Sequence, residues 1–202
     1  MINQHEYCLS RGMIYPDDGP GLPWPGLVKV TPKLKHNMYP IYDNGKKYDI
    51  IGLPESTGID VTALTLPTYV AEAVGFSMDS SGIMYDEQEL QMFSLAYRTE
   101  TENNGHKLVV QFNIMASLND TSAQTLEEVV TPSEFTITGE SVPETVGVRQ
   151  RASRIELSTR NTDRELLSAF DDALRTGSMT DIAKALANNP DTVSRINALR
   201  SI

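Results

Sequence analysis

The sequence predicts a mainly β protein: a sandwich or barrel of antiparallel strands with one flanking helix, followed by short C-terminal helices. Three observations predict it. Apolar residues alternate with polar ones through most of residues 27–160, tight-turn signals separate these runs, and the period changes to 3.6 after Thr162. The 202 residues suit one ordinary domain with extensions. We divide them into an extended N-terminal arm (1–26), a β domain (27–160) and a C-terminal helical extension (161–202).

The arm is read from Tyr15-Pro16-Asp17-Asp18-Gly19-Pro20-Gly21-Leu22-Pro23-Trp24-Pro25-Gly26. Fixed dihedrals at proline and permissive ones at glycine favour an extended segment laid over a surface. The single tryptophan, Trp24, is the expected anchor in a hydrophobic notch. Next comes a short strand over Leu27 to Val30. Tyr39 to Tyr42 and Lys46 to Ile51 flank Asn44-Gly45, a tight-hairpin signal because both turn residues tolerate positive φ. Ile59, Val61 and Ala63 alternate with Asp60 and Thr62, as in a half-buried strand.

Pro67, the stripe Val70, Ala71 and Val74, and Gly75 as a stop predict one short helix. The clearest strand pair follows. Phe93, Leu95 and Tyr97 alternate with Ser94, Ala96 and Arg98. Beyond Glu102-Asn103-Asn104-Gly105, Leu108, Val110, Phe112 and Ile114 alternate with Val109, Gln111, Asn113 and Met115. The pattern predicts long antiparallel strands at 92–100 and 106–116 with one face in a core. Phe135 with Ile137, and Ile155 with Leu157, supply two more. Thr162 with Glu165 forms a capping-box pattern ahead of Leu166, Phe170 and Leu174, and Gly177 ends that helix. Two further helices are read from Ser178 and from Asn189-Pro190.

Charge narrows the functional classes. The net charge is −10, with 8 basic and 20 acidic residues in 1–148, against 9 and 7 in 149–202. An acidic body does not grip nucleic acid, whose phosphates require Lys and Arg. No apolar run approaches the ~20 residues of a membrane span, and the first eleven residues show no signal-peptide stretch. No membrane association or export is expected.

Searches for chemistry end without a catalytic, cofactor-binding or metal site. Cys8 is the single cysteine, so neither an intramolecular disulfide nor a cysteine-pair zinc site can form. His5, His36 and His106 lie far apart. The run from Asp79-Ser80-Ser81-Gly82 to Glu89 is similar to a calcium loop, but its glycine comes too early and two ligand positions fail. Asn119-Asp120-Thr121 fits a glycosylation sequon that is idle without export. Asp86-Glu87-Glu89 and Glu127-Glu128 sit in polar stretches and are read as solvated faces. Thr180-Asp181-Ile182-Ala183-Lys184-Ala185-Leu186 and Asp191-Thr192-Val193-Ser194-Arg195-Ile196 resemble the helix-turn-helix of lactose-repressor-type regulators. Ala187 and Asn188 depart from its turn, and Asp191 gives little support for phosphate contacts.

The order of segments carries a wider resemblance. Arg11-Gly12-Met13-Ile14-Tyr15-Pro16 and Leu22-Pro23-Trp24-Pro25-Gly26-Leu27-Val28-Lys29-Val30 open it. Asp43-Asn44-Gly45-Lys46-Lys47-Tyr48, Leu66-Pro67-Thr68-Tyr69-Val70-Ala71-Glu72-Ala73-Val74-Gly75 and Phe93-Ser94-Leu95-Ala96-Tyr97-Arg98-Thr99 follow. Gly105-His106-Lys107-Leu108, Phe135-Thr136-Ile137-Thr138 and Thr162-Asp163-Arg164-Glu165-Leu166-Leu167 continue it. Across residues 11–177 this ordered set resembles the major tail tube proteins of long-tailed, siphovirus-type bacteriophages, those of actinobacteria in particular.

The resemblance implies a tail-tube β-sandwich or barrel. It implies copies that close into rings, commonly of six, and stack around a tape-measure protein. A tail terminator and distal tail or baseplate proteins are the implied partners, and double-stranded DNA passes without specific binding. Assembly in the host cytoplasm into a virion follows, with no enzymatic activity and no cofactor. Strands 92–100 and 106–116 are the expected tube wall, with Ser94, Arg98, Glu100, Gln111 and Asn113 towards a net-negative lumen. Segments 11–26, 39–58 and 162–175 are the expected inter-subunit contacts. The alternatives are a DNA-binding regulator using Asp181 to Ile196, or a contractile-tail tube or terminator protein.

Overall fold

The computed structural model describes residues 6–16, 19–33, 36–43, 46–54, 57–101, 104–119, 134–146, 150–160, 162 and 164–176. Its elements run β1 (Glu6–Pro16), β2 (Leu22–Pro23), β3 (Leu27–Lys33), β4 (His36–Asp43), β5 (Lys46–Pro54), β6 (Thr57–Ala63) and α1 (Thr68–Ala73). They continue with β7 (Val74–Met78), β8 (Met84–Leu90), β9 (Phe93–Thr101), β10 (Gly105–Leu118) and β11 (Phe135–Ser141). The last are β12 (Glu144–Val146), β13 (Gln150–Ala152), β14 (Arg154–Ser158) and α2 (Arg164–Thr176). The mainly β, antiparallel class expected from the sequence is observed.

One sheet dominates, in the order β2-β1-β9-β10-β11-β6-β3, with β14 also on β10. Strand β10 holds it together. Its first half, Lys107 to Gln111, lies between β9 and β14, and its second half, Ile114 to Leu118, pairs with β11. The switch falls at Asn113, whose φ is 48°. Asparagine is among the few non-glycine residues that accept this left-handed conformation, and a bulge there bends the strand. Neighbouring groups satisfy the main chain around the bend. Phe112 N donates to Ser153 O at 2.9 Å, Val142 N to Asn113 O at 2.9 Å, and Asn113 N to Ser94 Oγ at 3.1 Å.

The sheet curls until its ends approach. Its terminal strands, β2 and β3, are joined by residues 24–26 alone, which can span only about 10 Å. Trp24 N donates to Gly12 O at 2.8 Å, and its buried ring donates through Nε1 to Thr65 O at 3.1 Å. A Cβ on Gly12 would lie 1.9 Å from Leu27 Cδ1, so the seam closes tightly only over glycine. Trp24 fills the notch expected for it. Residues Glu6–Pro16, read as part of a surface arm, instead form a full strand of this sheet against β9. Their apolar residues Met13, Ile14 and Tyr15 are all buried, and the Pro- and Gly-rich run begins only after them.

Two apolar layers result. Inside the curl, Ile14, Trp24, Ile59, Val61, Phe93, Leu95, Tyr97, Ile114 and Ile137 pack together, and α1 adds Val70 and Ala73. Helix α1 ends as expected, with Gly75 just beyond it at φ 101°. On the opposite face of β1, β9, β10 and β14, Tyr15, Ala96, Leu108, Val110 and Phe112 pack against Leu167, Phe170 and Leu174 of α2. Strands β9 and the first half of β10 are therefore buried on both faces, not on the single face the alternation suggested. Helix α2, assigned to an extension, caps this outer layer because its Leu-Phe-Leu stripe meets an equally apolar strip of sheet. The hairpin turn at 44–45 and the helices read from Ser178 onward lie outside the described residues.

Phe170 is fully buried in the outer layer. Its replacement by Ala should cost about 3–5 kcal/mol of stability. Denaturant unfolding monitored by far-UV circular dichroism will measure it.

Candidate assembly surfaces

Arg98 and Glu100 were expected to face a lumen; the structure sets Arg98 between Glu100 and Asp171 of α2. Asp171, on the helix, stands 3.0 Å from Arg11 Nη1, 3.9 Å from Arg98 Nη1 and 3.6 Å from Arg175 Nη2. Arg98 Nε donates to Glu100 Oε1 at 2.9 Å, and Ser10 Oγ donates to the same oxygen at 2.9 Å. The hydrogen bond from Arg98 holds the Glu100 carboxyl below the usual carboxylate range. Tyr15 Oη donates to Leu174 O, which fastens the end of the helix, and burial pushes the phenol's pKa up. Ser94 is 4% exposed and Gln111 is 0% exposed. Ser94 and Gln111 are therefore excluded from a water-filled bore, while Arg98 and Glu100 are half-buried and tied to each other. The same contacts place segment 11–16 and the apolar face of α2 within one chain's core, leaving the outer face of α2, with Arg164, Glu165 and Ser168, exposed.

A different face of the sheet is open. Across β3, β6, β11 and the second half of β10, the inward residues Val30, Val61, Ile137 and Ala116 join the core. The outward residues fall into rows. One row is Thr31, Asp60, Thr138 and Ser117, and the next is Lys29, Thr62, Thr136 and Asn119. All are half-buried or exposed. They are linked sideways: Asn119 Nδ2 donates to Thr138 Oγ1 at 2.9 Å, which donates to Asp60 Oδ1 at 3.2 Å, and Lys33 Nζ lies 2.6 Å from Asp60 Oδ2. Glycine at 139 lets β11 sit close to β10, since a Cβ there would meet Ala116 Cβ at 2.5 Å and Met115 O at 2.7 Å.

Three two-stranded ribbons stand apart from this sheet, β4–β5, β7–β8 and the short β12–β13. The second is rooted by Val74 and Phe76 in the inner core. Its far end carries Met78, Ile83, Met84 and Tyr85, which are 45, 54, 47 and 46% exposed. Ile41 and Tyr42 are exposed on β4. Single exposed apolar side chains are ordinary. Four gathered at one hairpin end, with Met78 directly opposite Met84, form the kind of patch that marks a protein contact.

The calcium-like run is the turn of this hairpin. Asp79 Oδ1 accepts from Ser81 N at 2.8 Å and from Ile83 N at 2.9 Å, while Oδ2 accepts from Tyr85 Oη at 3.1 Å. Gly82, at φ 83°, completes the turn. Both carboxylate oxygens thus serve the loop's own backbone and side chains. The hydrogen bond from Ile83 N, above all, lowers the Asp79 pKa.

No catalytic constellation emerges among the described residues. Cys8 lies in β1 and His36 in β4. His106 sits at the start of β10, its pKa lowered by burial and next by Arg98. Asp86 and Glu89 are exposed on β8, and Asn119 is held by Thr138. No group of three or more His, Cys, Asp or Glu could hold a metal ion among the described residues. A groove of about 210 Å³ along the seam is lined by Arg11, Pro23, Trp24, Pro25 and Leu27. Its one charged side chain is committed to Asp171. Residues 5, 120–121, 127–128 and 180–196, which carry the remaining motifs, lie outside the described residues. No described helix is long and apolar enough to cross a membrane.

No family model matches the chain, and no curated protein matches it. Among solved structures it is similar to a chain of the PVC sheath–tube complex, from an extracellular contractile injection system in its extended state. The identity is 13% and the TM-score 0.41, over 76% of this chain and 93% of that one. The sheath/tube terminator of that system gives 11% and 0.37 over 78% and 99%. The tube-terminating cap of the anti-feeding prophage gives 12% and 0.36 over 76% and 93%. Values this low assign no function.

The depressed pKa of Asp79 ties the β7–β8 turn to pH. A carboxyl whose folded pKa lies below its unfolded value stabilises above the unfolded pKa, and that support is lost as pH falls through the folded one. The amide resonances of Ser81 and Ile83 should therefore titrate below the ordinary carboxylate range in NMR spectra. In Asp79→Ala they should show no such titration.

Proposed function

We propose that this chain is the structural subunit of a phage tail tube, polymerising as stacked rings of about six copies into the conduit for DNA ejection. The ordered resemblance across residues 11–177 supports the reading from sequence. The observation that carries it in the fold is the two longer hairpins outside the main sheet, β4–β5 and β7–β8. They present Ile41, Tyr42, Met78, Ile83, Met84 and Tyr85 to water, although the body behind them has completed its own core. Such ribbons have work to do only when a second copy covers them. The hairpin region expected at 39–58 is kept as an inter-subunit contact, and segment 74–90 is added to it.

The partners follow from the same reading: a tape-measure protein inside the growing tube, a terminator at one end, and distal tail or baseplate proteins at the other. The virion is the place of function, reached by assembly in the host cytoplasm. The chemistry is mechanical. The reading requires no cofactor and no catalysis.

Electron microscopy of the purified protein tests this directly. Hollow tubes of ring periodicity are expected. Met78→Glu combined with Met84→Glu should leave a folded monomer, unchanged in circular dichroism, that no longer polymerises. Wild-type protein that stays monomeric at high concentration, or that binds an operator with a steep salt dependence, would instead favour the regulator using residues 181–196.

A further inference from the structure

The outward face of β3, β6, β11 and the second half of β10 is a four-strand surface with no apolar cluster of its own. Its core-facing counterparts join the inner layer, while its outward positions carry hydroxyls, an amide, two lysines, two carboxylates and the exposed apolar side chain of Met115. The other outward face of the same sheet, on β1, β9, β10 and β14, is covered by α2. Lys29 and Lys33 on this open face are matched in number by Asp60 and Glu140, and Lys33 is in ion-pair contact with Asp60. A chain of net charge −10 thus presents one broad sheet face whose strands carry two lysines and two carboxylates.

We propose that this face lines the bore, and that the bore avoids holding DNA by being charge-balanced and hydroxyl-clad rather than acidic. The inference rests on the tail-tube reading above and deepens it by naming the surface that the cargo passes. The physical case has two parts. The side chains of Thr62, Thr136, Ser117 and Asn119 are uncharged and non-aromatic, and Asn119 is hydrogen-bonded to Thr138. They offer a polyanion neither a counter-ion to displace nor a stack of aromatic rings, the two sources of grip on nucleic acid. Lys33 is paired with Asp60, and the two lysines are equalled in number by two carboxylates, so no run of Lys or Arg tracks a phosphate backbone. Repulsion by a like-charged wall, which the overall acidity suggested, is not needed for release.

The test uses assembled tubes of the full chain with Cys8→Ser and Ser117→Cys, so that one thiol reports on this face. Three thiol reagents are applied to tubes and to unassembled subunits. They are a small cationic methanethiosulfonate, a small anionic one, and a maleimide carried on an antibody fragment. In subunits all three should react. In tubes the two small reagents should still react and the fragment should not. The cationic-to-anionic rate ratio, divided by its value in subunits, should stay within about threefold of one. An acidic bore several kT deep would raise that ratio about tenfold or more. Reaction with the fragment in tubes would put the face outside, and no reaction with any reagent would put it in a subunit joint; either overturns the proposal. A tenfold ratio overturns the balanced wall while leaving the assignment of the face. Failure of the protein to form tubes at all sinks the tail-tube reading itself, a result distinguishable by microscopy before any label is added.

Discussion

Strand β10 has to serve two partners on one side, and the rest of the architecture follows from how it does so. Fourteen residues are too many for a single neighbour in a curled sheet, so the strand bends at Asn113 and passes from β14 to β11. The bend keeps Val110 and Phe112 towards α2 while turning Ile114 and Ala116 towards the inner core. Without that change of partner, one continuous layer would have to choose between covering the helix side and closing the curl. The left-handed conformation at an asparagine, hydrogen bonds donated by Ser141 Oγ and Val142 N, and the Ser153 carbonyl that accepts from Phe112 N make the compromise stable.

Closure at the other end is governed by chain length. Joining β2 to β3 with three residues fixes the separation of the two sheet edges more firmly than any side chain could. Gly12 and Trp24 then finish the seam, the first by making room for Leu27 and the second by filling the space beneath Thr65. Because the edges meet, the apolar interior is complete within one chain. Surfaces left over for partners must lie on what projects from the closed body or on its exterior faces.

Much of this was legible in the sequence. The alternation in 93–99 and 108–114 marked the central strands, Pro67 and Gly75 bracketed α1, and Leu166, Phe170 and Leu174 marked α2. What could not be read was which faces a distant helix covers. Alternation distinguishes the two sides of a strand but not which of them faces water, so Arg98 and Glu100 looked like exposed wall residues until Asp171 arrived from seventy residues further on. Strand β1 was hidden because the Pro- and Gly-rich run behind it dominated the reading of residues 1–26. Hairpin β7–β8 was hidden because Asp79, Ser81 and Gly82 form a turn whose carboxylate is similar in pattern to a cation loop. Its apolar positions point to solvent, where no periodicity announces a core. The open sheet face was half visible, in Asp60 and Thr62 set between Ile59, Val61 and Ala63.

The choice of methionine at the end of β7–β8 has a mechanical side. An unbranched thioether has three rotatable bonds and a soft, polarisable sulfur, and it fills irregular spaces without a single preferred fit. A joint seated on Met78 and Met84 can slide or rock by small amounts and remain dry, where leucine or isoleucine knobs would hold one register. If successive rings meet through such compliant pads, the column they build bends under lateral load as a hose does, and its bore stays open through the curve.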